Sequence, residues 1–180
     1  MSPRTIEVIV VCEDSQHEAF LRRALGGLGY HRRKIRVEKS PSGRGAADAW
    51  VLQRLPALLR VYRQRQVEHV VILMMDVDRS SLKERQQQLD DICRAQGVDP
   101  RAPDERVAVL LPGRNIETWL AYLNGKDVDE TSAYAKLRFA GDYQLHVDAL
   151  LDGCQRGQLR EPVPPSLAHA CQEYHARIRR

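Results

Sequence analysis

Aromatic residues are scarce in this chain: phenylalanine and tryptophan occur twice each, and aromatics make up 6% of the 180 residues. They are not interleaved with basic positions, so a stacking platform for single-stranded bases finds no support. Cysteine is also sparse. The four present (Cys12, Cys93, Cys154 and Cys171) are scattered without a C-x-x-C pair, which argues against a zinc site and predicts reduced thiols in a cytoplasmic protein. No apolar run approaches the about 18 residues that a membrane span needs. The opening Met1-Ser2-Pro3-Arg4-Thr5 leads into a strand-like run without a signal-peptide core. There is no G-x-x-x-x-G-K-[ST] phosphate loop and no G-x-S-x-G nucleophile elbow. Neither an internal repeat nor a low-complexity tract is present.

What remains is globular in composition, 43% hydrophobic and 29% charged, in a length suited to one compact domain. The net charge is +4. Basic clusters at Arg22-Arg23, His31 to Lys34, Arg60 to Arg65 and Arg177 to Arg180 favour an anionic partner when taken together.

The most telling stretch is Val70-Val71-Ile72-Leu73-Met74-Met75-Asp76-Val77-Asp78. Six unbroken apolar residues predict a strand buried on both faces, as in a parallel sheet. Side-chain alternation predicts that Asp76 and Asp78 share one side at the strand's carboxyl end. Glu7 to Cys12 reads as a second strand, ending at Glu13. A helix follows, with Ser15 as its cap and Glu18 completing a capping box, and it stops at Gly26-Gly27. Lys34 to Lys39 alternates as an edge strand. Ser40 to Gly45 is a loop before a long helix over Ala46–Arg65, which Pro56 should kink or divide. A polar surface helix is expected from Ser80 or Ser81 to Gln96, a strand over Arg106–Leu111 and a helix over Ile116–Leu123. The sum is an α/β fold with a mostly parallel four-stranded sheet flanked by helices, over residues 1–125. Residues 126–180 read as a helical extension packed on it, with segments Val128 to Phe139, Tyr143 to Cys154 and Pro165 to Ile178.

Ligands in such sheets bind at the carboxyl ends of the strands. Glu13, Asp76, Asp78 and Glu117 are delivered there, and Glu18 lies one helical turn past Glu13. Five converging carboxylates would repel by several kcal/mol. One or two divalent cations, Mg²⁺ or Mn²⁺, would remove that cost, and such sites serve phosphodiester chemistry. Helix caps and solvated turns are the alternative use of these acids. Arg114 and Asn115 precede a helix start, where backbone N–H groups hold phosphate, and Arg44 in its glycine loop has the same physics. Cys12, at the end of a buried strand, reads as a small core residue. His17 reads as an exposed first-turn residue, with a proton shuttle or phosphate contact as the alternative.

These residues, in this order, resemble a Toprim domain, and more closely its RloB and OLD-like branch associated with bacterial defence. Cys12-Glu13-Asp14-Ser15-Gln16-His17-Glu18 matches the family's Cys-Glu-Gly-x-x-Thr-Glu start, with Asp14 and His17 departing from it. Ile116-Glu117-Thr118-Trp119-Leu120 matches the Ile-Glu-x-(Trp/Tyr)-Leu element. The resemblance spans roughly residues 5–125 and implies a Toprim-like, Rossmann-like fold. It further implies that Glu13, Asp76 and Asp78 hold metal and carry catalysis, with Glu13 also moving a proton. Glu18 and Glu117 would complete a second metal position, and Lys136 would stabilise the pentavalent phosphate. The implied activity is a Mg²⁺-dependent endonuclease, an effector of anti-phage defence with an ATPase partner on another chain. Nucleic acid is the expected substrate, DNA ahead of RNA; further copies of the chain are compatible partners and a membrane is not expected. A non-catalytic Toprim-like subunit that binds metal, nucleotide or a protein is the competing reading, and a primase-like nucleotidyl transferase a third.

Overall fold

The computed structural model describes residues 6–41, 46–136 and 143–179. Strand β1 (Glu7–Cys12) leads through α1 (Ser15–Gly27) and a 3-10 turn (Arg32–Lys34) to β2 (Ile35–Lys39). Helix α2 (Ala47–Gln64) crosses to β3 (His69–Met74), and α3 (Leu82–Ala95) to β4 (Val107–Leu110). Helices α4 (Ile116–Leu123), α5 (Tyr143–Arg156) and α6 (Pro165–Glu173) follow, the last running into a π-helical turn (Tyr174–Ile178).

All four strands are parallel, in the order β2-β1-β3-β4. The architecture is therefore the expected α/β, Rossmann-like one, with β2 at the predicted edge. Every residue of β3 is buried, because helices cover both faces of a parallel sheet. Val10, Cys12, Ile72 and Met74 pack with α1, α4, α5 and α6 on one face. Val11, Leu73, Met75 and Val77 pack with α2 and α3 on the other. Residues of α5 and α6, such as Val147 and Leu167, belong to the same buried cluster as α1 and α4. Among the described residues no helix is long and apolar enough to cross a membrane.

Four expectations need correction. Pro56 sits inside α2 without dividing it. The cap of α1 is Asp14, not Ser15: its Oδ1 accepts from the Gln16 and His17 amides at 2.9 Å each, and no capping box with Glu18 forms. The segment expected as a helix over 128–139 is irregular as far as Lys136, its remainder lying outside the described residues. Asp129 is the cause: its Oδ1 accepts from the Thr131 and Ser132 amides at 2.8 and 2.6 Å, which diverts backbone donors from helical bonding. Finally, only Cys12 and Cys93 are free thiols, whereas Cys154 of α5 and Cys171 of α6 form a disulfide. The bond joins residues 17 apart in sequence on two different helices, a tertiary pairing that local spacing does not reveal.

Candidate functional site at the carboxyl edge

The order β2-β1-β3-β4 reverses direction between β1 and β3. Adjacent loops diverge at such a point and leave a crevice beyond the strand ends. Glu13 follows β1 and Asp76 lies two residues past β3, so both flank this crevice. They touch: the Asp76 amide donates to Glu13 Oε1 at 2.8 Å.

Burial pushes the Glu13 carboxyl up to about 7, and the Asp76 charge adds to the rise against smaller opposing effects of His17 and the Asp76 amide, with Asp78 raising it a little further. Asp78 is itself raised, by partial burial and then by Asp76. The Asp76 charge thus opposes the ionisation of both Glu13 and Asp78.

They do not point the same way. Met74 faces the α1 side and Met75 the α2 side, so Asp76 returns to the α1 side, where its Oδ1 meets His17 Nε2 at 3.0 Å. Alternation then fails, because the chain has left the strand and Asp78 adopts a left-handed φ of 54°. Asp78 Oδ2 instead lies 3.4 Å from Arg85 Nη2 on α3, which also bonds Asp48 of α2 at 3.2 Å. The expectation that both aspartates share one side is corrected: each is held by a helix on a different face of the sheet.

The wider ring of acids is also looser than expected. Glu18 turns toward β2, where it pairs with Lys39 and Arg22 at 2.8 Å each. Those hydrogen bonds hold its carboxyl below the usual range. Glu117 is buried in the first turn of α4, and its carboxylate has no hydrogen-bond or ion-pair partner among the described residues. Among those residues no group of three or more His, Cys, Asp or Glu side chains is gathered as a metal site.

The remaining candidates divide. Arg114, at a left-handed φ of 60°, leads into α4 with Asn115 as its cap residue. Its Nη1 donates to the Thr131 carbonyl at 2.7 Å. Asn115 makes no side-chain cap bond, and its Oδ1 is buried without a partner. Lys136 is exposed on the irregular segment, so the helix expected to carry it is absent there. Arg44 lies outside the described residues. Cys12 is fully buried, and burial, then Glu18 and Asp14, push its thiol up to about 12, which removes it as a nucleophile near neutral pH.

Two buried polar residues depart from what the sequence pattern leads one to expect. His17 is fully buried rather than exposed, and Arg85 was not singled out although only 5% of it is exposed. Both left a signal. His17 continues the α1 stripe of Phe20, Leu21 and Ala24, and Arg85 continues the α3 stripe of Leu89 and Cys93. A polar residue on an apolar helical stripe is a buried polar group in need of a partner.

In charge and chemistry Glu13 and Asp76 suit a hard cation, being neighbouring oxygen donors, whereas Asp78 is turned toward Arg85. Comparison with family models, with curated proteins and with solved structures returns no match for the chain.

Proposed function

We propose that the protein is a divalent-metal-dependent hydrolase of nucleic-acid phosphodiesters, a Toprim-class nuclease with DNA ahead of RNA as substrate. The observation that carries this reading is the electrostatically coupled Glu13–Asp76 contact at the crevice between β1 and β3. Glu13 and Asp76 would hold Mg²⁺ or Mn²⁺, with Asp78 joining only if it left Arg85, and the ion would supply charge neutralisation to the phosphate. Glu13, beside that position, would accept the proton of the attacking water. The water oxygen bonds to phosphorus, the bond to the leaving sugar oxygen breaks, and that oxygen takes up a proton from solvent water. Arg114 and the free amides at the start of α4 orient the non-bridging oxygens. The resemblance extends this to an effector of bacterial defence that works with an ATPase partner.

Plasmid nicking in Mg²⁺ and in Mn²⁺ tests the reading. The wild type should relax supercoiled plasmid, and Asp76→Ala should lose at least about 100-fold of that rate, as expected for a residue of the charge-stabilising apparatus. Equal nicking by both proteins, or none by either, sinks it for the isolated chain.

The second reading, a subunit that binds without cleaving, is favoured by the ion pairs already made by Glu18 and Asp78. It predicts Mn²⁺ binding with no nicking under any metal.

A further inference from the structure

Asp76 is fixed at two points. Its amide is bound to Glu13, and its Oδ1 to His17. A carboxylate offers only acceptors, so His17 Nε2 carries the proton of that bond. The other ring nitrogen, Nδ1, is buried without a partner. A fully buried ring with one nitrogen unpaired lowers stability, since desolvation of that atom is not repaid. Leucine on the same stripe would pack without this cost. The imidazole's distinct contribution is therefore the bond to Asp76. Its position is itself set by the Asp14 cap, which holds the His17 amide at 2.9 Å, so one chain of contacts runs from the helix cap to the carboxylate.

We propose that His17 is the positioning residue of Asp76: it holds Oδ1 inward on the α1 side and leaves Oδ2, which has no partner among the described residues, to the carboxyl edge. This rests on the metal-holding role proposed for Asp76. A ligating carboxylate held by an outer hydrogen bond presents one fixed oxygen, and loss of such a bond weakens metal binding about 10–100-fold.

The test is Mn²⁺ uptake by the full chain, read from the loss of the free-ion EPR signal, beside thermal melting of each variant. His17→Leu fills the buried site without a donor and should weaken Mn²⁺ binding about 10–100-fold, while His17→Gln, whose amide nitrogen reaches the Nε2 position, restores most of it. His17→Asn, too short to reach Asp76, is the second loss variant where leucine does not fold. A packing role alone would lower the melting temperature without separating Gln from Asn in Mn²⁺ affinity, and would overturn the proposal. Equal affinity in wild type and His17→Leu overturns it as well, leaving the metal reading intact. A wild-type chain that takes up no Mn²⁺ overturns the metal reading and this inference with it.

Discussion

The raised carboxyl of Glu13 ties the candidate site to the stability of the whole chain. Its folded pKa of about 7 stands above the ordinary 4.5, so between these values the folded state binds more protons than the unfolded one. Stability therefore falls as pH rises through that window. His17 works in the same sense. Burial alone opposes its charged form, but the Asp76 hydrogen bond and charge, with Asp14 and Glu13, bring its pKa above 6.5. The stability it contributes is present below 6.5 and is lost as pH rises through its folded value. We predict that the metal-free protein is more stable at pH 5 than at pH 8, the Glu13 share being about 2–3 kcal/mol. Glu13→Gln, which keeps an acceptor for the Asp76 amide, should raise the melting temperature at pH 8 and leave it nearly unchanged at pH 4. A pH-independent effect of this substitution would contradict the assignment.

At the scale of elements, the exposed edge of β4 is closed by side chains rather than by another strand. Glu173 of α6 accepts from the Val109 amide at 2.7 Å, and Arg101 donates to the Val107 carbonyl at 2.8 Å. Glu173 also pairs with Arg101 and with Arg177 at 3.5 Å. Capping an edge in this way removes a template for pairing with other chains. Removing one partner from a buried ionic cluster costs about 3–5 kcal/mol, so Glu173→Ala should lower the melting temperature by roughly 10 °C and promote aggregation. Asp152→Ala, which breaks the exposed pair with Arg156, should cost below about 0.5 kcal/mol. Similar losses in urea titrations of the two variants would refute the distinction. Sequence pattern located every strand to within about a residue because β-branched runs with abrupt polar ends are read directly. It failed at 128–136, where side chains of Asp129, Thr131 and Ser132 outcompete helical bonding. It also failed at Asp78, whose direction depends on a single left-handed residue. Glu13 and Asp76 were placed correctly at the edge, but their partners His17 and Arg85 are set by tertiary packing.

Across the whole molecule, many of the basic side chains are engaged by acids within the fold. Arg22, Arg23, Arg54, Arg63, Arg65 and Arg85 all pair with acids. On the loops and first helical turns of the carboxyl edge, Arg79, Lys83 and Arg114 make no ion pair among the described residues. Among the described residues, those three lack acidic partners and would meet the backbone of the proposed nucleic-acid substrate near the crevice. Each phosphate neutralised on duplex DNA contributes about −0.9 to the slope of log K against log salt. Three contacts predict a slope near −2.7, shallow beside proteins that neutralise six to ten phosphates. Affinity measured between about 50 and 200 mM salt should thus fall by roughly 40-fold, with little dependence on base sequence. A triple variant, Arg79→Ala with Lys83→Ala and Arg114→Ala, should flatten the slope toward zero while leaving Mn²⁺ uptake intact. A slope much steeper than −2.7 would mean that paired arginines leave their acids on binding, and an unchanged slope in the triple variant would place the nucleic acid on another face.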